Sequence, residues 1–122
     1  MKLGDREILF RRSVKATAEL AEICPDKDIA KLGELMKGGT AQQLAAGAVL
    51  IRALNSAYES HRALVEPGYV ANPITIDEVM DLDADEFAQL LTESIAVFRA
   101  DGQTDIATKP APRKGKKTGA TE

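Results

Sequence analysis

The stretch from about Ala41 to about Ala63 constrains this chain more than any other. Leu44, Ala48, Ile51, Leu54 or Asn55, and Tyr58 recur there at the spacing of one helix face. Ala45, Val49, Ala53 and Ala57 widen that face until little of the first half stays polar. A helix apolar over most of its girth is usually central, so the remaining segments are expected to pack around it. Thr40 and Gln43 stand three apart at its start, the spacing of a capping box.

The flanking segments read as shorter helices. Ser13 offers an N-cap to a helix whose edge is Val14, Ala18 and Ala21, with Leu20 and Ile23 beside them. Pro25 ends that helix and can open another. The next stripe is Ile29, Leu32, Leu35 and Met36, stopped by Gly38-Gly39. Residues 66–73 form a loop by their Pro and Gly content. Thr75 to Glu78 is a second capping box, opening a short helix to about Leu82. Asp83, Asp85 and Glu86 then place carboxylates at the positive end of a last helix. Its stripe is Phe87, Leu91, Ser94 or Ile95, and Phe98, and Asp101-Gly102 ends it. Residues 1–12 alternate around a Gly4-Asp5 turn, with Ile8 and Phe10 on one side, as in a hairpin or an extended arm.

The expected fold is mainly α: a small helical domain of four to five helices over residues 1–102. A short N-terminal β-hairpin or extended arm occupies residues 1–12, and residues 103–122 are expected to be a disordered basic tail. Nineteen alanines and an aromatic content of 4% favour helices over sheets. Lys109, Arg113, Lys114, Lys116 and Lys117 crowd the tail, while residues 1–108 hold 11 basic and 18 acidic side chains, a net charge of −7. The first residues are charged rather than signal-like, and no run approaches the roughly 20 apolar residues of a membrane helix. Cys24 is the one cysteine, so no intramolecular disulfide can form, which fits a reducing compartment. A soluble, cytoplasmic protein is the expectation.

Candidate chemistry is sparse. Asp81, Asp83 and Asp85 open like a calcium loop, but Glu86 stands where a glycine should turn the chain, and Thr92 where a bidentate glutamate belongs. Helix-start carboxylates explain the same acids. Cys24 reads as a small buried hydrophobe and His61 as a surface residue near a helix end, not as a nucleophile and its base. One His and one Cys cannot make the usual zinc site. Gly38-Gly39-Thr40 lacks a P-loop's following Lys-Ser/Thr pair. Asp77 and Asp81 share a solvated face without a cleft. No enzyme activity, metal or cofactor is expected. The tail can touch phosphates, but five charges without aromatic residues bind weakly, non-specifically and with strong salt dependence.

Three segments carry a resemblance. The first runs from Leu3 to Arg11 into Ala18-Glu19-Leu20-Ala21-Glu22, and the second is the apolar helix from Leu44 to Tyr58. The third is Ile74-Thr75-Ile76-Asp77-Glu78-Val79-Met80-Asp81-Leu82-Asp83-Ala84-Asp85-Glu86-Phe87. Over about residues 1–102 the chain resembles the tail assembly chaperones of long-tailed bacteriophages and prophages. That resemblance implies a non-catalytic protein that binds the long, helical tape measure protein in the host cytoplasm, keeps it soluble and is absent from the mature virion. Leu44, Ile51, Leu54 and Tyr58, with Phe87, Leu91 and Phe98, are then candidates for holding a client helix, against the more ordinary reading of such stripes as the domain's own core. A homo-oligomer is compatible with the same apolar faces. Two other functions remain open: a small nucleic-acid-associated regulator acting through the tail, and a structural head–tail or tail component retained in the virion.

The family also implies a longer, frameshifted product that recruits tail tube protein. Lys114-Gly115-Lys116-Lys117 is a place where a run of G and A bases would allow such slippage, the alternative being a plain lysine-rich tail. Sequencing the codons around Gly115 checks it: a slippery run of G and A bases is the expected result, and an unslippery set removes the idea.

Overall fold

The computed structural model describes residues 1–102. The expected disordered tail at 103–122 lies outside the described residues. Strand β1 (Lys2–Leu3) pairs antiparallel with β2 (Arg6–Glu7), Lys2 opposite Glu7 and Leu3 opposite Arg6. Gly4 turns the chain at φ +62°, which its missing Cβ allows. Beyond the hairpin the arm runs without regular structure and buries Ile8 in the core.

Helix α1 (Val14–Ile23) starts at Ser13, whose Oγ accepts from the Ala16 N–H at 3.0 Å. Its rotation differs from the expectation. Val14 is 88% exposed, Ala18 and Ile23 also face outward, and the core side is Ala16, Leu20 and Cys24. Arg12 sets this phase. It donates to Thr17 Oγ1 at 3.0 Å and to the Phe98 carbonyl at 3.0 Å, and its guanidinium stacks 4.1 Å from the Phe98 ring. Thr17 is thereby drawn toward the last helix, and its neighbours Ala16 and Leu20 turn inward.

Pro25 opens a 3₁₀ turn (Pro25–Lys27) rather than an α-helix, because Asp26 and Lys27 sit at φ +58° and +54°. Asp28 caps a second turn (Ile29–Lys31) by accepting from the Ala30 N–H at 3.0 Å. Only Leu32–Met36, helix α2, is α-helical in this segment.

Helix α3 (Thr40–Val65) is the long central element. The Thr40–Gln43 capping box does not form. Gly39 is the N-cap, with no side-chain bond, and the Gln43 N–H donates to the Gly39 carbonyl at 2.9 Å. A Cβ on Gly38 would lie 2.6 Å from the Gln42 side chain, so that side chain fills the space a residue larger than glycine would take. The glycine pair lets the helix begin one residue earlier than the capping pattern implies.

Both later capping signals are realised. Thr75 Oγ1 accepts from the Glu78 N–H at 3.1 Å, and Glu78 Oε1 accepts from the Thr75 N–H at 2.9 Å, opening helix α4 (Ile76–Met80). The Thr75 backbone bond, reinforced by Arg6 at 2.9 Å, holds the Glu78 carboxyl below its usual range. Asp83 and Glu86 make the same exchange, at 2.8 and 3.3 Å, before helix α5 (Ala84–Gly102). The fold over the described residues is thus mainly helical, with five α-helices and a short N-terminal hairpin. No helix among the described residues is long and apolar enough to cross a membrane.

Helix α3 touches α1, α2, α4 and α5, so it is the shared wall of the domain. On one side Leu50, Ala53 and Leu54 pack with Ala16, Leu20, Cys24 and Leu32. On the other, Ala48 and Ile51 pack with Ile8, Ile74, Val79 and Leu90. Full burial of each such Leu or Ile contributes about 1.5–3 kcal/mol.

Asn55 is buried between these walls. Its Nδ2 donates to the Leu9 carbonyl at 2.9 Å, and its Oδ1 accepts from the Ile74 N–H at 2.7 Å. One amide therefore fastens the N-terminal arm and the loop before α4 to the central helix. Replacement of Asn55 by Ala leaves a buried carbonyl and a buried N–H without partners, each costing about 1–3 kcal/mol. The expected loss is about 2–5 kcal/mol in urea denaturation, with Ile74 losing hydrogen-exchange protection before Leu20 does.

Candidate interaction site

The seven residues singled out in the sequence do not share one surface. Ile51 and Leu54 are each 0% exposed and belong to the two opposite core clusters. Phe87 and Leu91 are half-buried against the core, where α5 crosses α3 at Gly47. Tyr58 is half-buried, and Leu44, in the second turn of α3, is 39% exposed. Of these seven, Phe98 lines an open cleft.

That cleft has a volume of about 380 Å³ and lies between the second 3₁₀ turn with α2, the middle of α3 and the end of α5. Ile29, Leu32, Met36, Leu50, Ile95 and Phe98 give it an apolar lining, and Lys37 and Arg99 stand at its margins. Leu32 and Leu50 are its buried floor, and Ile29, Met36, Ile95 and Phe98 are half-buried around it, Ile29, Ile95 and Phe98 packing against the core. Gly33 also lines it, and a Cβ there would meet nothing within 4 Å. Lys37 and Arg99 have no ion-pair partner among the described residues, unlike Arg6, Lys27, Lys31, Arg52 and Arg62. The groove is therefore an apolar trough with cations left available beside it. In the sequence, Ile29, Leu32 and Met36 form a visible stripe, but only the 3₁₀ turns place it opposite Ile95 and Phe98.

The polar chemistry elsewhere is structural. Glu59, buried on α3, accepts from the Tyr69 hydroxyl and from the Asn72 N–H at 2.9 Å, pinning the 66–73 loop. The Glu59 hydrogen bond raises the Tyr69 phenol above its usual pKa, and the Arg62 guanidinium covers that ring at 4.0 Å. Cys24 is buried and donates to the Leu20 carbonyl at 3.2 Å, and burial pushes its thiol pKa up. His61 is exposed on α3. Asp83 is engaged as a cap, with Asp81 and Asp85 exposed beside it. Among the described residues, no three His, Cys, Asp or Glu side chains are grouped so as to hold a metal ion.

Gly47 decides how closely α5 approaches α3. A Cβ there would lie 2.9 Å from Phe87 Cζ and 3.3 Å from Leu91 Cδ1. Gly47→Val forces both side chains outward and is expected to cost about 1–3 kcal/mol by overpacking. Thermal denaturation checks it, with exposed Val14→Ala as a control expected to stay within about 0.5 kcal/mol of the parent.

Comparison with protein-family models, with curated proteins and with solved structures finds no match to this chain.

Proposed function

We propose that this protein is a non-catalytic assembly chaperone of the phage-tail kind, holding amphipathic helical segments of a tape measure protein in the groove between α2 and α5. The observation that carries the reading is the groove itself: a trough lined by half-buried aliphatic and aromatic side chains, continuous with the core packed on α3. A trough of this lining suits the apolar stripe of one helix, laid in through residues at i, i+3, i+4 and i+7. Lys37 and Arg99 at the margins favour a client with acidic residues flanking that stripe. The order of segments in residues 1–102 supports the same assignment through its resemblance to tail assembly chaperones. The protein acts in the host cytoplasm and leaves before the virion is complete.

Gly33 gives a test, because it lines the groove and a Cβ there meets nothing within 4 Å. Tagged protein is recovered from its native source with and without nuclease, and the bound partners are identified by mass spectrometry. The expected partner is one long, helix-rich phage protein, unaffected by nuclease and reduced about tenfold by Gly33→Trp, which corresponds to roughly 1.4 kcal/mol. Recovery of nucleic acid with its usual companions, lost on nuclease treatment, overturns the reading in favour of a regulator. Persistence of the protein in finished virions overturns it in favour of a structural component.

A further inference from the structure

A second cleft, of about 310 Å³, lies between α1 and the C-terminal half of α3. It differs in kind from the apolar groove. Arg11 from the arm, Lys15 from α1 and His61 from α3 line it, together with Ser56 and Ser60. Arg11, Lys15 and His61 have no ion-pair partner among the described residues, and the hydroxyls of Ser56 and Ser60 have no hydrogen-bond partner there. The one carboxylate in the lining, Glu19, is already paired with Arg52 at 3.3 Å. Three basic groups thus converge on one crevice in a protein whose residues 1–108 carry a net charge of −7.

The crevice also has an apolar edge. Leu64, which lines it, is 84% exposed, and Val14, between the lining residues Ser13 and Lys15, is 88% exposed. These are the two most exposed large hydrophobic side chains described. Neither contributes to the core clusters, so the fold does not account for them.

We propose that this crevice is a docking site for a short acidic peptide segment of a protein partner, one that carries aliphatic residues beside its carboxylates. The carboxylates meet Arg11, Lys15 and His61, the serine hydroxyls complete their hydrogen bonding, and the aliphatic residues cover Leu64 and Val14. Charge complementarity selects this occupant. A narrow peptide stays within roughly the 8–10 Å over which local charges act at physiological salt, and there the basic cluster dominates. An extended anionic surface would also cross the acidic remainder of the domain. No Phe, Tyr or Trp lines the crevice to stack a nucleobase. The site is separate from the apolar groove and does not rest on the chaperone reading.

The test uses a fluorescein-labelled synthetic peptide with Glu and Leu at helical spacing, and a second peptide with Gln in place of each Glu. Anisotropy titrations with the full chain are expected to show saturable binding of the Glu peptide, weakening steeply with salt, and no binding of the Gln peptide. Arg11→Glu and Lys15→Glu lie at exposed positions. Each is expected to weaken binding about tenfold, whereas Gly33→Trp leaves it unchanged. Arg11→Gln and Lys15→Gln, which add no new charge, are expected to weaken it in the same direction. Binding indifferent to these substitutions, or abolished by Gly33→Trp, overturns the proposal. So does binding to vesicles containing phosphatidylglycerol with none to the peptide, which reassigns the crevice to membranes.

Discussion

The fold turns on the side-chain amide of Asn55. Helices α1, α4 and α5 can each bury a stripe against α3 without fixing where the irregular segments run. The arm beyond Ile8 and the loop before α4 have no ladder of their own to satisfy their backbone groups at depth. Asn55 supplies one donor and one acceptor inside the domain, to Leu9 and Ile74 respectively. An aliphatic residue of the same size would fill the space but leave both groups without partners, and buried backbone groups rarely tolerate that. Arg11 strengthens the same attachment, its N–H donating to the Leu54 carbonyl at 3.0 Å. Ile8 and Ile74, held by these bonds, can then enter the core beside Val79 and Leu90.

From that attachment follows the division of labour along α3. Its middle residues serve two cores at once, so little of its circumference remains for a partner. The open apolar surface instead arises at the edge of the domain, where the 3₁₀ turns and the short α2 are too small to cover the space between Leu50 and Phe98. No continuous helix spans 25–37. Asp26 and Lys27, in left-handed conformation, prevent such a helix from forming.

Local signals were the legible part of the fold. The hairpin turn at Gly4, the Ser13 cap and the capping box at Thr75 each involve residues close in sequence and form as read, and the helix-start acids at Asp83 and Glu86 cap α5 by a reciprocal bond. The long helix was legible because its apolar pattern outruns any alternative. Legibility failed where a distant residue decides. The phase of α1 depends on Arg12 reaching Thr17 and Phe98, and the choice of Leu90 and Ser94 as the innermost residues of α5 depends on the approach permitted by Gly47. Asn55 was visible only as an alternative to Leu54 on an apolar face, since nothing local marks it as a bridge. Glu59 gave no signal at all until Tyr69 and Asn72 were brought to it. For the candidate site, Phe98 was within reach of sequence reasoning, while its opposition to Ile29 and Met36 was not.

Cys24 carries a practical consequence. Its thiol sits under α2, is hydrogen-bonded to the Leu20 carbonyl, and is held toward the protonated form by burial. Alkylating reagents and peroxide attack an accessible thiolate, and burial works against both accessibility and ionisation. Two copies likewise cannot bring their sulfurs into contact without first opening the junction between α1 and α2. The lone cysteine of this chain is therefore chemically quiet while the fold is intact, and air-grown covalent dimers mark molecules that have come open there.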